Sequence, residues 1–242
     1  MMRRLFSIFV FGYFSVLFLI FFVIISLVFI VTFPFDRYRK APNFTLSIMA
    51  RFMMKASPWW KMTFMNVDKY DPSEPTIFVC NHQSFLDMAF IYHLPWKMKW
   101  VSKKSLTYIP VMGWLVWLTG HLTIDRSSKT ALKKLDNLVE PLKDLVPVMI
   151  FPEGTRTMDG QLKPFKNGPF LLSLEYGFKL QPMVIDGSFE AMPSGSSNLN
   201  PKADFKLKVL DAIDPADFDD MMSLKNHTRE VMQEQLKELK HT

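Results

Sequence analysis

In the stretch TIFVCNHQSFLD, residues 76–87, an apolar run ends at Asn81 and is followed by His82 and, five residues further on, Asp87. An imidazole accepts a proton near neutral pH, and a carboxylate on its other nitrogen orients it, so the pair has the composition of a general base. A second group, FPEGTRT at 151–157, sets Pro152, Glu153, Gly154, Thr155 and Arg156 together. Glycine there permits a tight turn, while the planar guanidinium suits bidentate contact with phosphate oxygens. Lys103 and Lys104, and Arg126 at the end of GHLTIDR (120–126), add positive charge. Together these residues describe a base beside an anion site. Two nucleophilic alternatives stay open. Ser84 with His82 and Asp87 would make a hydrolase, although no G-x-S-x-G occurs and Ser84 sits where a helix cap would. Cys80 and His82 would share one face of a strand, although cysteine is also a common buried strand residue.

Those residues need elements to position them. Hydrophobic patterning predicts strands at 76–80, 97–102, 120–125, 147–151, 180–186 and 205–210, and helices at 84–93, 104–118, 128–144, 167–176 and 224–240. The alternation predicts an α/β domain over 71–242, with a mostly parallel or mixed sheet flanked by helices. His82, Lys103, Arg126 and Glu153–Arg156 all follow strand ends, the edge where open α/β sheets bind ligands. The stretch 187–204, rich in Ser, Asn, Pro and Gly, reads as a loop. Asp87 is claimed twice, by the imidazole and by the start of the next helix, and both roles cannot be maximised at once.

Ahead of this domain, Leu5 to Phe35 is a run of 31 residues without a charge, whereas about 20 suffice to cross a bilayer. Its 24 Leu, Ile, Phe and Val residues favour lipid by about 7 to 14 kcal/mol as an upper figure. Residues 1–40 are therefore read as an N-terminal hydrophobic membrane helix and anchor. The run is too long for a signal peptide and ends without a small-residue cleavage site. A tilted spanning helix, a helix broken at Gly12 and a helix pair in one leaflet all fit. Residues 41–70, where Met, Phe and Trp interleave with Arg51, Lys55 and Lys61, read as an amphipathic interfacial segment, or equally as a helix packed on the core. Basic residues around the anchor (Arg37, Arg39, Lys40) favour a main domain on the cytoplasmic side of the inner membrane. The net charge of +6 and pI near 9.3 suit an anionic surface or substrate. No nucleic-acid-binding signature is present. Cys80 is the one cysteine, so no intramolecular disulfide exists, in keeping with the cytosol.

The ordered blocks NHQSFLD, KKSLTYIPVMGWLVWLTGHLTIDR, FPEGTRT and LQPMVIDGS, with PFKNG at 164–168, resemble the motif blocks of the glycerolipid acyltransferases, most closely the 1-acyl-sn-glycerol-3-phosphate acyltransferases. The resemblance covers about residues 76–187. It implies that 71–242 is an acyltransferase domain in which His82 is the base of the H-x4-D motif and Asp87 its partner. Glu153, Gly154, Thr155 and Arg156, with Arg126 and Lys103, would hold the acceptor's phosphate, and Asn81, Gly120, Pro152 and Pro182 would support the motifs. The implied reaction transfers an acyl chain from acyl-CoA or acyl carrier protein, as co-substrate, to a lysophospholipid in the bilayer, with no metal or cofactor. Glycerol 3-phosphate or another lysolipid is the alternative acceptor. Outside that class stands an anchored lipid-binding protein without chemistry.

Overall fold

Two neighbouring strands set up the site, and their sequences explain their place. In β2 (Thr76–Cys80) every residue is buried, as in β5 (Val148–Ile150) beside it, which is the pattern of strands covered on both faces. Successive residues divide between two cores: Phe78 and Cys80 join one hydrophobic cluster, Ile77 and Val79 the other, as the two-residue period of a strand dictates.

The structure, a computed structural model, describes residues 2–124 and 137–241. In chain order its elements are α1 (Met2–Thr32), α2 (Lys40–Met53), β1 (Trp60–Met65), β2, α3 (Leu86–Ile91), β3 (Lys99–Lys103), α4 (Met112–Leu118), β4 (Leu122–Ile124), α5 (Val139–Lys143), β5, α6 (Gly168–Tyr176), β6 (Lys179–Asp186), α7 (Ser188–Ala191), β7 (Ala203–Val209) and α8 (Met221–His241). The strands form one sheet of seven in the order β1-β7-β6-β2-β5-β3-β4. Neighbours are parallel except β6 and β7, so the expected mixed α/β sheet is what forms. Residues from α1, α2 and α3 pack on one face, and residues from α5, α6 and α8 on the other.

Several expectations change in detail. The helix expected over 104–118 is two pieces, a 3-10 segment Lys104–Tyr108 and then α4. Pro110 separates them and Val111 takes φ 64°, a combination that an uninterrupted helix excludes. Of the helix expected over 128–144, the described part holds α5; Arg126 lies outside the described residues. Within 187–204, Ser188–Ala191 is helical. Within 41–70, the stretch WKMTFM becomes β1, a sheet-edge strand parallel to β7; its apolar Trp60, Met62 and Phe64 alternate with Lys61 and Thr63, the strand period.

α1 runs unbroken through Gly12 and is the one described helix long and apolar enough to cross a bilayer. It folds back on α2 through a turn that Asp36 closes, its carboxylate accepting from the N–H groups of Lys40 and Ala41 at 2.8 Å each. One stripe of α1 (Ser7, Val10, Phe14, Leu17, Phe21, Ile25) is buried. Near its start Phe6 meets the Trp60 ring, and Ser7 Oγ accepts from Leu199 N at 2.8 Å. Near its end Phe29 packs on Trp117. The opposite face leaves Phe9, Leu19, Val23, Leu27 and Ile30 exposed.

Candidate active site

His82 sits in the loop between β2 and α3, with its side chain 18% exposed. Its Nδ1 lies 2.7 Å from Asp87 Oδ2, and the same oxygen accepts from Gln83 N at 2.7 Å and Ser84 N at 2.9 Å. The competition expected for Asp87 therefore does not arise, because one oxygen closes the turn and orients the ring. With Asp87 ionised, Nδ1 carries the proton and Nε2 presents the basic lone pair. Asp87 is fully buried, and Oδ1 has no hydrogen-bond partner among the described residues. Asn81 clamps the end of β2 to β6, donating from Nδ2 to Ile185 O and accepting from Ile185 N, both at 2.8 Å.

The 151–157 turn reaches His82 because β5 lies directly beside β2. Glu153 is buried, and its carboxylate accepts from His82 N at 2.8 Å and from Lys163 N at 3.0 Å. Thr157 N donates to His82 O at 2.8 Å. Both backbone polar groups of His82 are thus held by the neighbouring loop. With both carboxylate oxygens committed to backbone, Glu153 is placed as a strut. Its negative charge would also oppose a phosphate. Burial raises Glu153 to about 7, and nearby Asp87 adds to the rise against the two backbone bonds and Lys163. Gly154 takes φ 72° and Thr155 is exposed, while Arg156 is half-buried and its carbonyl accepts from Lys163 Nζ at 2.9 Å. Pro152 is buried at the turn.

The remaining expected residues separate. Lys103 ends β3, exposed at the same sheet edge as His82. Gly120 precedes β4 at the opposite edge, where a Cβ would lie 3.1 Å from Arg39 Cδ and 3.2 Å from Lys99 Nζ, so its role there is close packing. Pro182 pairs with Val79 inside the sheet. Ser84 is fully buried and donates to Met192 O at 2.8 Å, which removes it from a hydrolase triad. Cys80 is fully buried, and burial, with Asp87 and Glu153 adding, pushes its thiol well above the ordinary value; an un-ionised thiol is a poor nucleophile.

Two features escaped the sequence reading. Phe151 lies flat against His82, ring centroids 3.9 Å apart and planes at 6°; its place in FPEGTRT was the available signal. A cavity of about 70 Å³, almost wholly apolar, opens among Phe18 of α1, Met49 and Met53 of α2, Phe85 and Met88 just after His82, and Leu115 of α4. Tyr92 and His121 also border it; Tyr92 Oη meets His121 Nε2 at 2.8 Å and Asn43 Oδ1 at 3.0 Å, tying α2 to the domain. Burial, then the Lys99 charge, pulls His121 well below its ordinary value, so this network is neutral.

A family model described as Acyltransferase matches residues 61–186. The chain is 37% identical over 171 residues to a 1-acyl-sn-glycerol-3-phosphate acyltransferase of Chlamydomonas reinhardtii, taking in 69% of this chain and 51% of the algal one. It is 33% identical over 172 residues to the Escherichia coli K12 protein of that name, 67% of each chain. This chain therefore spans about half the length of the algal relative. Its fold matches the crystal structure of a 1-acyl-sn-glycerophosphate (LPA) acyltransferase from Thermotoga maritima with a TM-score of 0.81 at 22% identity, covering 99% of this chain and 98% of that one.

Proposed function

The chain belongs to the acyltransferase family through residues 61–186, and on that premise we propose that it transfers an acyl chain from an acyl thioester to the free 2-hydroxyl of 1-acyl-sn-glycerol 3-phosphate, forming phosphatidic acid. The observation that carries the reading is His82, oriented by Asp87 at 2.7 Å, on a loop whose following residues Phe85 and Met88 line an apolar cavity together with residues of α1 and α2. The names of the algal and bacterial relatives agree with it.

In the proposed reaction Nε2 of His82 takes the hydroxyl proton as the acceptor oxygen bonds to the thioester carbonyl carbon. The tetrahedral intermediate collapses, the C–S bond breaks, and the leaving thiolate takes the proton back from His82. Asp87 stabilises the imidazolium in between. No protein nucleophile, metal or cofactor is required. Arg156 is the residue we assign to the acceptor's phosphate, since a guanidinium offers paired donors. The apolar lining of the cavity suits an acyl chain.

The protein works at a membrane in this reading. Both ends of α1 contact the α/β domain, which favours a helix lying along that domain in one leaflet over one that crosses. Trp114 and Trp117 of α4 are exposed beside Phe22 and Phe29 of α1, rings suited to the headgroup level. A cytoplasmic orientation rests on the basic residues beside the anchor, Arg37, Arg39 and Lys40, and on access to a soluble acyl-CoA or acyl carrier protein.

Purified protein in mixed micelles, given lysophosphatidate and oleoyl-CoA, should release thiol and form phosphatidic acid only when both are present. Thiol release that continues without acceptor would indicate hydrolysis, and binding without release would indicate a lipid-binding protein. Glycerol 3-phosphate and other lysolipids in competition define the acceptor.

A further inference from the structure

The Asp87 bond secures one edge of the His82 ring but leaves its plane to be set by something else. Phe151 does this, with its ring centroid 3.9 Å from that of His82 and 6° from coplanar. Phe151 is itself held. It follows β5 directly, its carbonyl accepts from Gly154 N at 3.0 Å, and its ring packs at 5.8 Å on Trp100, which is buried and rests in turn on Tyr92 at 5.3 Å. The platform under the imidazole is therefore anchored in the core.

We infer that Phe151 is a positioning residue for the base, its ring face fixing the imidazole plane and stabilising the imidazolium that forms when His82 takes the acceptor's proton. This rests on the acyltransferase reading above. The negative face of an aromatic ring attracts a cation placed over it and attracts a neutral ring less. The contact therefore strengthens as the proton moves, and interactions that are stronger in the transition state are the ones that accelerate a reaction. Asp87 neutralises the imidazolium at its edge and the Phe151 ring attracts it at its face, while Nε2 is left for the substrate. A cation over an aromatic face corresponds to about a 2- to 30-fold effect on kcat.

The test replaces Phe151 by 4-fluoro-, 3,5-difluoro- and 3,4,5-trifluorophenylalanine, which drain the ring face while hardly altering its shape. The charged groups in contact with His82, Asp87 from α3 and Glu153 from the loop after β5, stay constant through the series, as do Arg156 and Lys163 further along that loop. The expected result is a stepwise fall in log kcat with each fluorine, KM for lysophosphatidate and Tm holding steady. Phe151→Trp should retain activity and Phe151→Leu should lose about 2- to 30-fold. In parallel, the His82 titration midpoint, followed by ¹⁵N NMR in micelles without substrate, should move to lower pH along the series. A series flat in both kcat and midpoint, or one in which Tm alone changes, overturns the inference. Wild-type protein that forms no phosphatidic acid overturns the acyltransferase reading instead, and the NMR series then decides on Phe151 by itself.

Discussion

Replacing Glu153 by Gln separates two tasks for one residue, strut or phosphate ligand. The carboxylate accepts two backbone N–H groups, one from His82 and one from Lys163. An amide has one acceptor oxygen, so its NH₂ must face one of those donors and the grip on the His82 loop loosens. A displacement of about 1 Å at a catalytic group costs about 10² in rate, and kcat of Glu153→Gln should fall by that order with little change in KM for lysophosphatidate. Stability should move the other way. Burial raises Glu153 from 4.5 to about 7, so between those values the folded protein binds a proton that the unfolded chain has released. Wild-type stability is then fullest below pH 4.5 and declines as pH rises through 7, by about 3 kcal/mol if the whole gap is realised. Gln does not titrate. The variant should match wild type within about 1 kcal/mol at pH 4.5 and be the more stable of the two at pH 8, a trade of stability against function. Urea unfolding in micelles at both pH values, with initial rates of phosphatidic acid formation, measures each part. A selective rise in KM with kcat intact would place Glu153 on the phosphate, and parallel pH dependence in the two proteins would refute the burial argument.

Asp87→Asn should lower kcat by about 10² to 10⁴, because an amide cannot accept the His82 bond and both backbone donors equally well; wild-type rates at pH 7.5 would mean the ring is oriented without it. The same change should reduce stability by about 1 to 3 kcal/mol, read by urea unfolding. Cys80→Ala should leave kcat within about twofold, since the buried, un-ionised thiol takes no part; loss of thiol release in a well-folded variant would revive the covalent route. Met88→Trp, which projects an indole into the apolar cavity, should shift preference in a set of acyl-CoA donors towards shorter chains, and an unchanged chain-length profile would remove the cavity from acyl binding.

Much of the site was legible because its signals are local. His82 and Asp87 are five residues apart in one loop and helix start, and a single turn of chain brings them within hydrogen-bond reach. The apolar runs of β2, β5 and β6 announced strands covered on both faces, and all three form within a residue or two of the expected bounds. β1 was missed despite the alternation in WKMTFM, because aromatic residues interleaved with lysine read equally as an interfacial helix until a partner strand, β7, is known. The double demand on Asp87 looked like a conflict because sequence cannot show that one carboxylate oxygen accepts three donors.

By itself the sequence determined which residues can carry a proton, which can meet a phosphate, that they follow strands, and that a long apolar helix precedes them. Tertiary structure decided which of those strand ends are neighbours. The sheet order β2-β5-β3-β4 sets the 151–157 turn directly beside His82, whereas the end of β3, with Lys103, is two strands away, about 10 Å at the usual spacing. Gly120, within the same sequence block as Lys103, falls at the other edge of the sheet. Sequence distance is measured along the chain, while strand pairing is chosen by which apolar faces can be buried together, and that choice made Glu153 a strut and Phe151 the platform beneath the base.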